Sequence, residues 1–292
     1  MPRPAEGYRL IDGTQVPGNT DITRRFKDST ALINWARKDG FDQAKQGLPK
    51  PNHSSRKALD IGTVGHAMIE FHMRGRSLGY IEDYAKSLLK GDDWIAAQNA
   101  FKAYLRLVET FQFGASELEL SIVSEKHRFG GTIDAVGMTG RRRVILDPKV
   151  RAKPVAYPED LLQLAGYKIL WEERFPDRPV DGGFFLLCLP KDGGDCVPFH
   201  YPQLDAAVEQ FLLLRKAYDL DQKLSSLEYL ASKPVAPPAP RDVIVLAEPP
   251  AKPAAPSAER KPRRKALVMG SFQGYAATVT LDGWESFKKA SA

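Results

Sequence analysis

The chain has 292 residues, 43% of them hydrophobic, and a mean hydropathy of −0.35, values typical of a protein that folds in water. This length is enough for one domain of roughly 200 to 230 residues with a tail, or for two small domains. No apolar run reaches the length of a membrane span, and the N-terminal MPRPAEGYRL lacks the apolar segment of a signal peptide. We therefore expect a cytoplasmic protein without a membrane partner.

The formal net charge of +6 is unevenly distributed along the chain. Eight Lys or Arg stand against three acids in residues 232–265, whereas residues 1–231 carry a net charge of about +1. A nucleic acid would therefore have to bind the larger part of the chain in a local groove. The two cysteines, Cys188 and Cys196, do not form the paired C-x-x-C motifs of a zinc site, which favours plain structural roles for both.

The N-terminal third is predicted to be mainly helical. Residues 1–19 are rich in Pro and Gly, which indicates a flexible arm, and residues 20–45 show near-helical spacing with Trp35 as a core residue. After a loop, DIGTVGHAMIEFHMRG predicts a helix that carries His66. An apolar stripe over residues 81–113 predicts one or two further helices.

Three strands follow the helices. Apolar and polar residues alternate over residues 117–124, which predicts a half-buried strand with Glu119 facing away from the leucines. The stretch 128–150, RFGGTIDAVGMTGRRRVILDPKV, predicts two strands joined by a Thr-Gly turn. Asp134 lies in the first of these two strands and Asp147 ends the apolar run of the second.

Two carboxylates on adjacent strands make a physical demand. Asp147 and Lys149 point to the same face because side chains alternate along a strand, and Asp134 can meet them there. Buried acids need a cation, and a single lysine supplies one charge for two. Mg²⁺ or Mn²⁺ suits such oxygen ligands. Pro148 predicts that the second strand bends or bulges at the acid.

The next elements are a helix and a hairpin. Proline and two acids in the first turn predict a helix over residues 158–175, on which Gln163 and Tyr167 lie four apart and share a face. A Gln and a Tyr at this spacing also occur by chance. Residues 181–190 and 195–201 predict two strands joined by a Gly-rich turn.

The order of these elements predicts an α/β domain over residues 20–231, with a mixed central β-sheet flanked by helices and a last long helix over 203–230. Residues 232–265 contain nine prolines and no apolar period, which predicts a disordered basic linker rich in Pro, Ala and Lys. Residues 266–292 regain aromatic and β-branched residues. They are either a docking motif for a partner or a segment that folds back on the domain.

The residues around the two acids resemble the PD-(D/E)XK nuclease superfamily, and in particular its RecB-like and phage exonuclease-like members. Five elements stand in the order of that family: His66 in GTVGH, Glu119, Asp134 in GGTIDAV, Asp147-Pro148-Lys149, and Gln163 with Tyr167 in QLAGY. The chain departs from the pattern at Pro148, and at Val150, where a small hydroxyl residue commonly follows the lysine. Neither departure removes a ligand.

The resemblance implies a restriction-endonuclease-like core and metal-dependent DNA hydrolysis. The implied ligands of Mg²⁺ or Mn²⁺ are His66, Asp134, Asp147 and the backbone carbonyl of Val150. Lys149 would position or help deprotonate the attacking water, and Gln163 and Tyr167 would orient the DNA or the metal shell. Glu119 would support the acidic cluster, the alternative being a solvated strand residue.

This family relationship favours an exonuclease of phage-like recombination or DNA processing, in a bacterial or phage-infected cell. A recombination or replication protein would then be a partner for residues 266–292. An iron–sulfur cluster, found in some RecB-like nucleases, is not expected because it needs four cysteine ligands. Two alternatives remain: a structure-selective endonuclease of the same fold, and a catalytically silent scaffold that binds DNA or protein.

Overall fold

A mixed β-sheet with helices on both faces organises the chain. The structure, a computed structural model, describes residues 4, 6–27, 29–47, 53–226 and 277–278. The chain divides into one unit of residues 1–219 with 275–292 and a second of residues 220–274, in which only 220–226 are described. The predicted linker therefore lies outside the described residues, as does the predicted C-terminal segment except for 277–278.

The described helices are α1 (Asn19–Arg25), α2 (Thr30–Lys45), α3 (His53–Met73), α4 (Leu78–Leu88), α5 (Gly91–Phe111), α6 (Pro158–Arg174) and α7 (Asp205–Ser226). The strands are β1 (Tyr8–Arg9), β2 (Gln15–Val16), β3 (Phe113–Ser124), β4 (Phe129–Thr139), β5 (Arg142–Arg151), β6 (Gly183–Pro190), β7 (Val197–Tyr201) and β8 (Ala277–Thr278). None of the helices in the described part of the chain has the length and apolarity needed to cross a lipid bilayer.

The central sheet has the order β3-β4-β5-β6-β7-β8. Strands β5 and β6 are parallel, with α6 as the crossover between them, and the other neighbours are antiparallel. The predicted α/β class, a mixed sheet flanked by helices, is confirmed.

Strand β6 shows how both faces of the sheet are covered. All eight of its residues are buried. Leu186 packs into a core that α6 and α7 share with the sheet, whereas Leu187 and Leu189 pack on the opposite side, where α3 and α5 lie. A strand covered on both faces has no reason to alternate polar with apolar residues. The sheet is therefore the middle layer of three, and its strand ends can carry a site.

The N-terminal residues form a hairpin on the sheet. Strands β1 and β2 pair, Tyr8 and Val16 are buried, and the Tyr8 hydroxyl lies 3.0 Å from Thr132 Oγ1 of β4. Gly130 makes room for this contact, because a Cβ there would lie 2.2 Å from Tyr8 Cγ. For the described residues of 1–19, the prediction of a flexible arm is wrong. A few widely spaced apolar residues pack this segment against the sheet.

The single helix predicted over residues 20–45 is in fact two. Helix α1 ends at Arg25 and α2 begins at Thr30, so apolar residues on either side of the break no longer share one stripe. Trp35 is 46% exposed, and the prediction that it is a core residue is wrong.

Strand β5 passes through Pro148 without the predicted bulge. Its parallel register with β6 runs from Val144 to Arg151 without a shift. Its pairing with β4, in contrast, ends at Leu146. The proline, which has no N–H, therefore stands where one neighbouring strand has already separated, and the ladder on the other side keeps the strand straight.

Candidate active site

Three acids lie in line across three strands. The pairing of β4 with β5 ends at Ala135 and Leu146, and the next residue on each strand is Asp134 and Asp147, whose side chains are within hydrogen-bonding distance of each other. On the other side, the pairs that flank Glu119 in the β3–β4 register place it opposite Asp134. The sheet thus brings together the three carboxyls that the sequence predicted as a cluster.

Asp147 is the most deeply placed of the three. Its side chain is fully buried, and its Oδ1 accepts a hydrogen bond of 2.8 Å from Lys149 Nζ. Its buried Oδ2 receives no hydrogen bond from a donor group of the described residues, and the carboxyl of Asp134 lies within hydrogen-bonding distance of the Asp147 carboxyl. Burial raises the pKa of Asp147 to about 8, and the negative charge of Asp134 adds to this effect, whereas Lys149 opposes it. A buried carboxylate oxygen that receives no hydrogen bond is suited to bind a cation.

The pKa of the half-buried Asp134 is also raised. Burial raises its pKa, the positive charge of Lys149 opposes the shift, and Glu119 reinforces it. Burial raises the pKa values of both adjacent acids and their mutual repulsion adds to the shift, and a divalent ion bound to the two would relieve it.

Lys149 connects the acids to α6. Its Nζ donates to Asp147 Oδ1 and, at 3.1 Å, to Gln163 Oε1. Gln163 Nε2 in turn donates to the Tyr167 hydroxyl at 2.6 Å. Burial opposes the charge on Lys149, but the two carboxylates outweigh burial and raise its pKa. The predicted Gln163 and Tyr167 are thus both in the network, and Lys149 remains an ammonium group.

His66 reaches the same place from the opposite side of the sheet. It lies on α3, close enough to Pro148 for a hydrogen bond with the backbone, and it senses the charges of Lys149 and Asp147. Burial, followed by the charge of Lys149, lowers its pKa to about 4. Its imidazole is therefore neutral at physiological pH, which is the form that binds metals.

Gly65 allows α3 to approach β5 at this point. A Cβ on Gly65 would lie 2.8 Å from Val150 Cγ2, whereas a Cβ on Gly62 would meet nothing within 4 Å. Of the two glycines in GTVGH, the second therefore sets the distance between His66 and the strand of acids. Val150, whose carbonyl is a predicted ligand, is the residue that it contacts.

We expect Gly65→Ala to lower the free energy of unfolding by about 1–3 kcal/mol, because the added methyl group overpacks the contact with Val150. Gly62→Ala is the matched control on the same helix, and it should be neutral or stabilising by up to about 1 kcal/mol. Urea unfolding of both variants measures the difference. Equal effects of the two substitutions would show that α3 does not rest on β5 at Gly65.

Glu119 has an unusual backbone. Its φ of +51° is left-handed, a conformation that costs a non-glycine residue about 1–3 kcal/mol. The turn it imposes makes Leu118 pack on the α3 and α5 side and Leu120 on the α6 side. The prediction that Glu119 simply faces away from leucines on one face is therefore wrong. Burial raises the pKa of Glu119, and the charge of Glu70 contributes to the shift.

The sequence analysis missed Asn19. This buried residue of α1 donates from Nδ2 to the backbone oxygen of Gln163 at 2.8 Å. It packs so closely on α6 that a Cβ on Gly166 would lie 2.3 Å from its Nδ2. The glycine inside QLAGY was the available signal, since a glycine in a helix interior is often explained by a close neighbour.

The oxygen and nitrogen donors at this site are of the types that bind a hard divalent ion. The side chains do not surround a single point at which such an ion would lie. No group of three or more His, Cys, Asp or Glu side chains in the described parts of the chain is preformed as a metal site. The carboxyls of Asp134 and Asp147 and the neutral imidazole of His66 are nevertheless suitable donors for Mg²⁺ or Mn²⁺. In the structure without a bound ion, the ammonium group of Lys149 is the positive charge that contacts the Asp147 carboxyl.

Comparisons with known proteins give little further information. No family model matches the chain, and no curated protein matches its sequence. Among solved structures, it is similar to one named "Putative exonuclease" from Eubacterium rectale, with 12% sequence identity and a TM-score of 0.42. The match covers 61% of this chain and 77% of that chain. A likeness this distant carries no argument about this chain.

Proposed function

We propose that the chain is a metal-dependent deoxyribonuclease that hydrolyses phosphodiester bonds, acting as an exonuclease. The observation that carries the proposal is the fully buried Asp147, which accepts from Lys149 through Oδ1, receives no bond from a donor group at Oδ2, and faces the carboxyl of Asp134. A purely structural ion pair would satisfy both oxygens, because an unsatisfied buried carboxylate oxygen is costly. A site that exchanges a proton for a metal ion accounts for this arrangement.

The residues have distinct roles in this proposal. His66, Asp134, Asp147 and the carbonyl of Val150 would hold Mg²⁺ or Mn²⁺, with Glu119 in support. The bound ion would neutralise the acids and polarise the phosphate that is cleaved. Lys149, which its neighbours keep charged, orients the attacking water and stabilises negative charge that develops on the phosphate.

Gln163 and Tyr167 hold other groups of the site in position. The Gln163 amide accepts from Lys149 through Oε1 and donates to Tyr167 through Nε2, so its orientation is fixed at both ends. Burial holds the pKa of Tyr167 well above its ordinary value, and its hydroxyl therefore remains a neutral hydrogen-bonding group. Together the two residues keep the lysine amine at the acids, or orient the DNA strand beside it.

Cleavage assays with Mg²⁺ on linear duplex, covalently closed circular and single-stranded DNA test the proposal against its alternatives. An exonuclease degrades linear DNA and leaves closed circles intact. An endonuclease opens the circles, and a scaffold leaves every substrate whole. EDTA should stop the reaction. The proposal of a nuclease is wrong if no substrate is cut with either Mg²⁺ or Mn²⁺ while the protein remains folded.

A further inference from the structure

The loop between β5 and α6, residues 152–157, is fixed in place although it is mostly exposed. Arg151, at the end of β5, forms a buried ion pair with Asp160 and donates to the Val155 backbone oxygen. Asp160 also accepts from the Tyr157 backbone N–H at 2.8 Å. Buried charge is thus used to hold a segment that contributes little to the core.

The side chains that this loop presents to solvent suit a nucleic acid. Val155 is 42% exposed and Tyr157 44% exposed, and Lys153 between the strand and the helix is exposed as well. The Tyr157 ring lies against the Arg151 guanidinium, 5.0 Å from its centroid, so one contact supports the ring while much of its surface remains open. An exposed aromatic ring and a lysine in one loop are features that proteins combine to bind single strands.

The loop is also close to the reacting groups. Lys149 and Arg151 lie two residues apart on the same face of β5, a separation of about 6.6 Å between Cα atoms. The Tyr157 ring contacts Arg151, and one side chain therefore separates the ring from Lys149. A strand with a phosphate at Lys149 would carry its neighbouring bases towards the ring.

The acids of the first turn of α6 do not oppose such a strand. Glu159 is ion-paired with Lys27, which lies between α1 and α2, with 2.5 Å between Glu159 Oε1 and Lys27 Nζ. Asp160 is ion-paired with Arg151. Both negative charges next to the loop are thus balanced by cations, and Lys153 adds a further positive charge.

We propose that the exposed face of Tyr157 stacks on an unpaired nucleobase, next to the phosphate at Lys149, so that the site takes a single-stranded segment of nucleic acid. This inference rests on the proposed nuclease function and adds to it the state of the substrate. Inside a duplex both faces of each base are covered by its stacked neighbours, so a duplex without an unpaired segment could offer the ring only the outer face of its terminal pair.

The test compares Tyr157→Ala, Tyr157→Phe and Tyr80→Ala in steady-state cleavage of a short single strand. Tyr80 is the matched control: it is 49% exposed on α4 and lies 5.6 Å from the Arg76 guanidinium. Tyr157→Ala should raise KM about 5- to 150-fold, which corresponds to the loss of the stacking free energy of one base, and should change kcat little. Tyr157→Phe and Tyr80→Ala should behave as the wild type.

Substrates with one abasic site, moved through the positions beside the cleaved bond, identify the base. The wild type should lose affinity at one position, whereas Tyr157→Ala should be insensitive there. If the wild type cleaves DNA and Tyr157→Ala keeps its KM, the stacking inference fails alone. Equal sensitivity of both proteins to every abasic site also contradicts it. If the wild type cleaves nothing, the nuclease proposal itself fails. Tyr157→Leu serves as the ring-free variant if Tyr157→Ala does not fold.

Discussion

Lys149→Ala is expected to lower the rate of DNA cleavage by about 10³-fold or more, while the protein stays folded and still binds a divalent ion. The amine contacts Asp147 and Gln163 and is none of the proposed metal ligands. Its loss therefore removes a charge from the reaction and leaves the carboxyls in place. Single-turnover cleavage and Mn²⁺ titration measure the two properties separately.

Lys102→Ala is the matched control for this experiment. Lys102 is exposed on α5 and donates to Gln98 one turn away, so its removal should change neither property. Full activity of Lys149→Ala would remove the lysine from the mechanism. Loss of Mn²⁺ binding together with activity would assign Lys149 to the integrity of the metal site.

Asp147→Asn is expected to abolish cleavage and yet to stabilise the metal-free protein near neutral pH. Burial holds the pKa of Asp147 at about 8 in the folded chain, whereas the ordinary value is 3.8. The folded state thus keeps a proton that the unfolded state releases. The contribution of this group is fully present below about pH 4 and is lost as the pH rises to about 8.

Urea unfolding in EDTA across that pH range measures the effect. The wild type should lose stability with rising pH, by at most about 1.4 kcal/mol per pH unit from this group, and Asp147→Asn should show a flatter profile. Mg²⁺ at 100 times its Kd should stabilise the wild type by about 2.7 kcal/mol and the variant hardly at all. Identical pH profiles for the two proteins would contradict the buried, proton-holding carboxyl.

Asp160→Asn provides the contrast for the same experiment. Asp160 is also buried, but it is ion-paired with Arg151. Its neutralisation would leave the guanidinium without a partner, and the free energy of unfolding should fall. Opposite signs for two buried aspartates would separate a functional carboxyl from a structural one.

Much of the site could be predicted because strands and helices of regular period carry it. The two-residue period of β5 places Asp147 and Lys149 on one face, and the spacing of four in α6 places Gln163 beside Tyr167. The strand and helix bounds in this region agree with expectation to within a few residues, as with α6, predicted over 158–175 and observed over Pro158–Arg174.

What the sequence did not reveal depends on contacts between distant segments. Asn19 is hydrogen-bonded to Gln163, 144 residues away in the sequence, and Tyr8 contacts Gly130, 122 residues away. No local sequence pattern predicts either contact. Glu119 changes the face of its strand through one left-handed residue, which a rule of strict alternation cannot anticipate. Helical spacing predicts Trp35 in the core, but its side chain is exposed, as some large apolar side chains on protein surfaces are.

Anomalous scattering from a crystal soaked in Mn²⁺ tests the central claim most directly. The site described here predicts a peak about 2 Å from carboxylate oxygens of both Asp134 and Asp147, with His66 close enough to be a ligand. A peak elsewhere in the protein, with none within ligand distance of the Asp134 and Asp147 carboxylates, would contradict it.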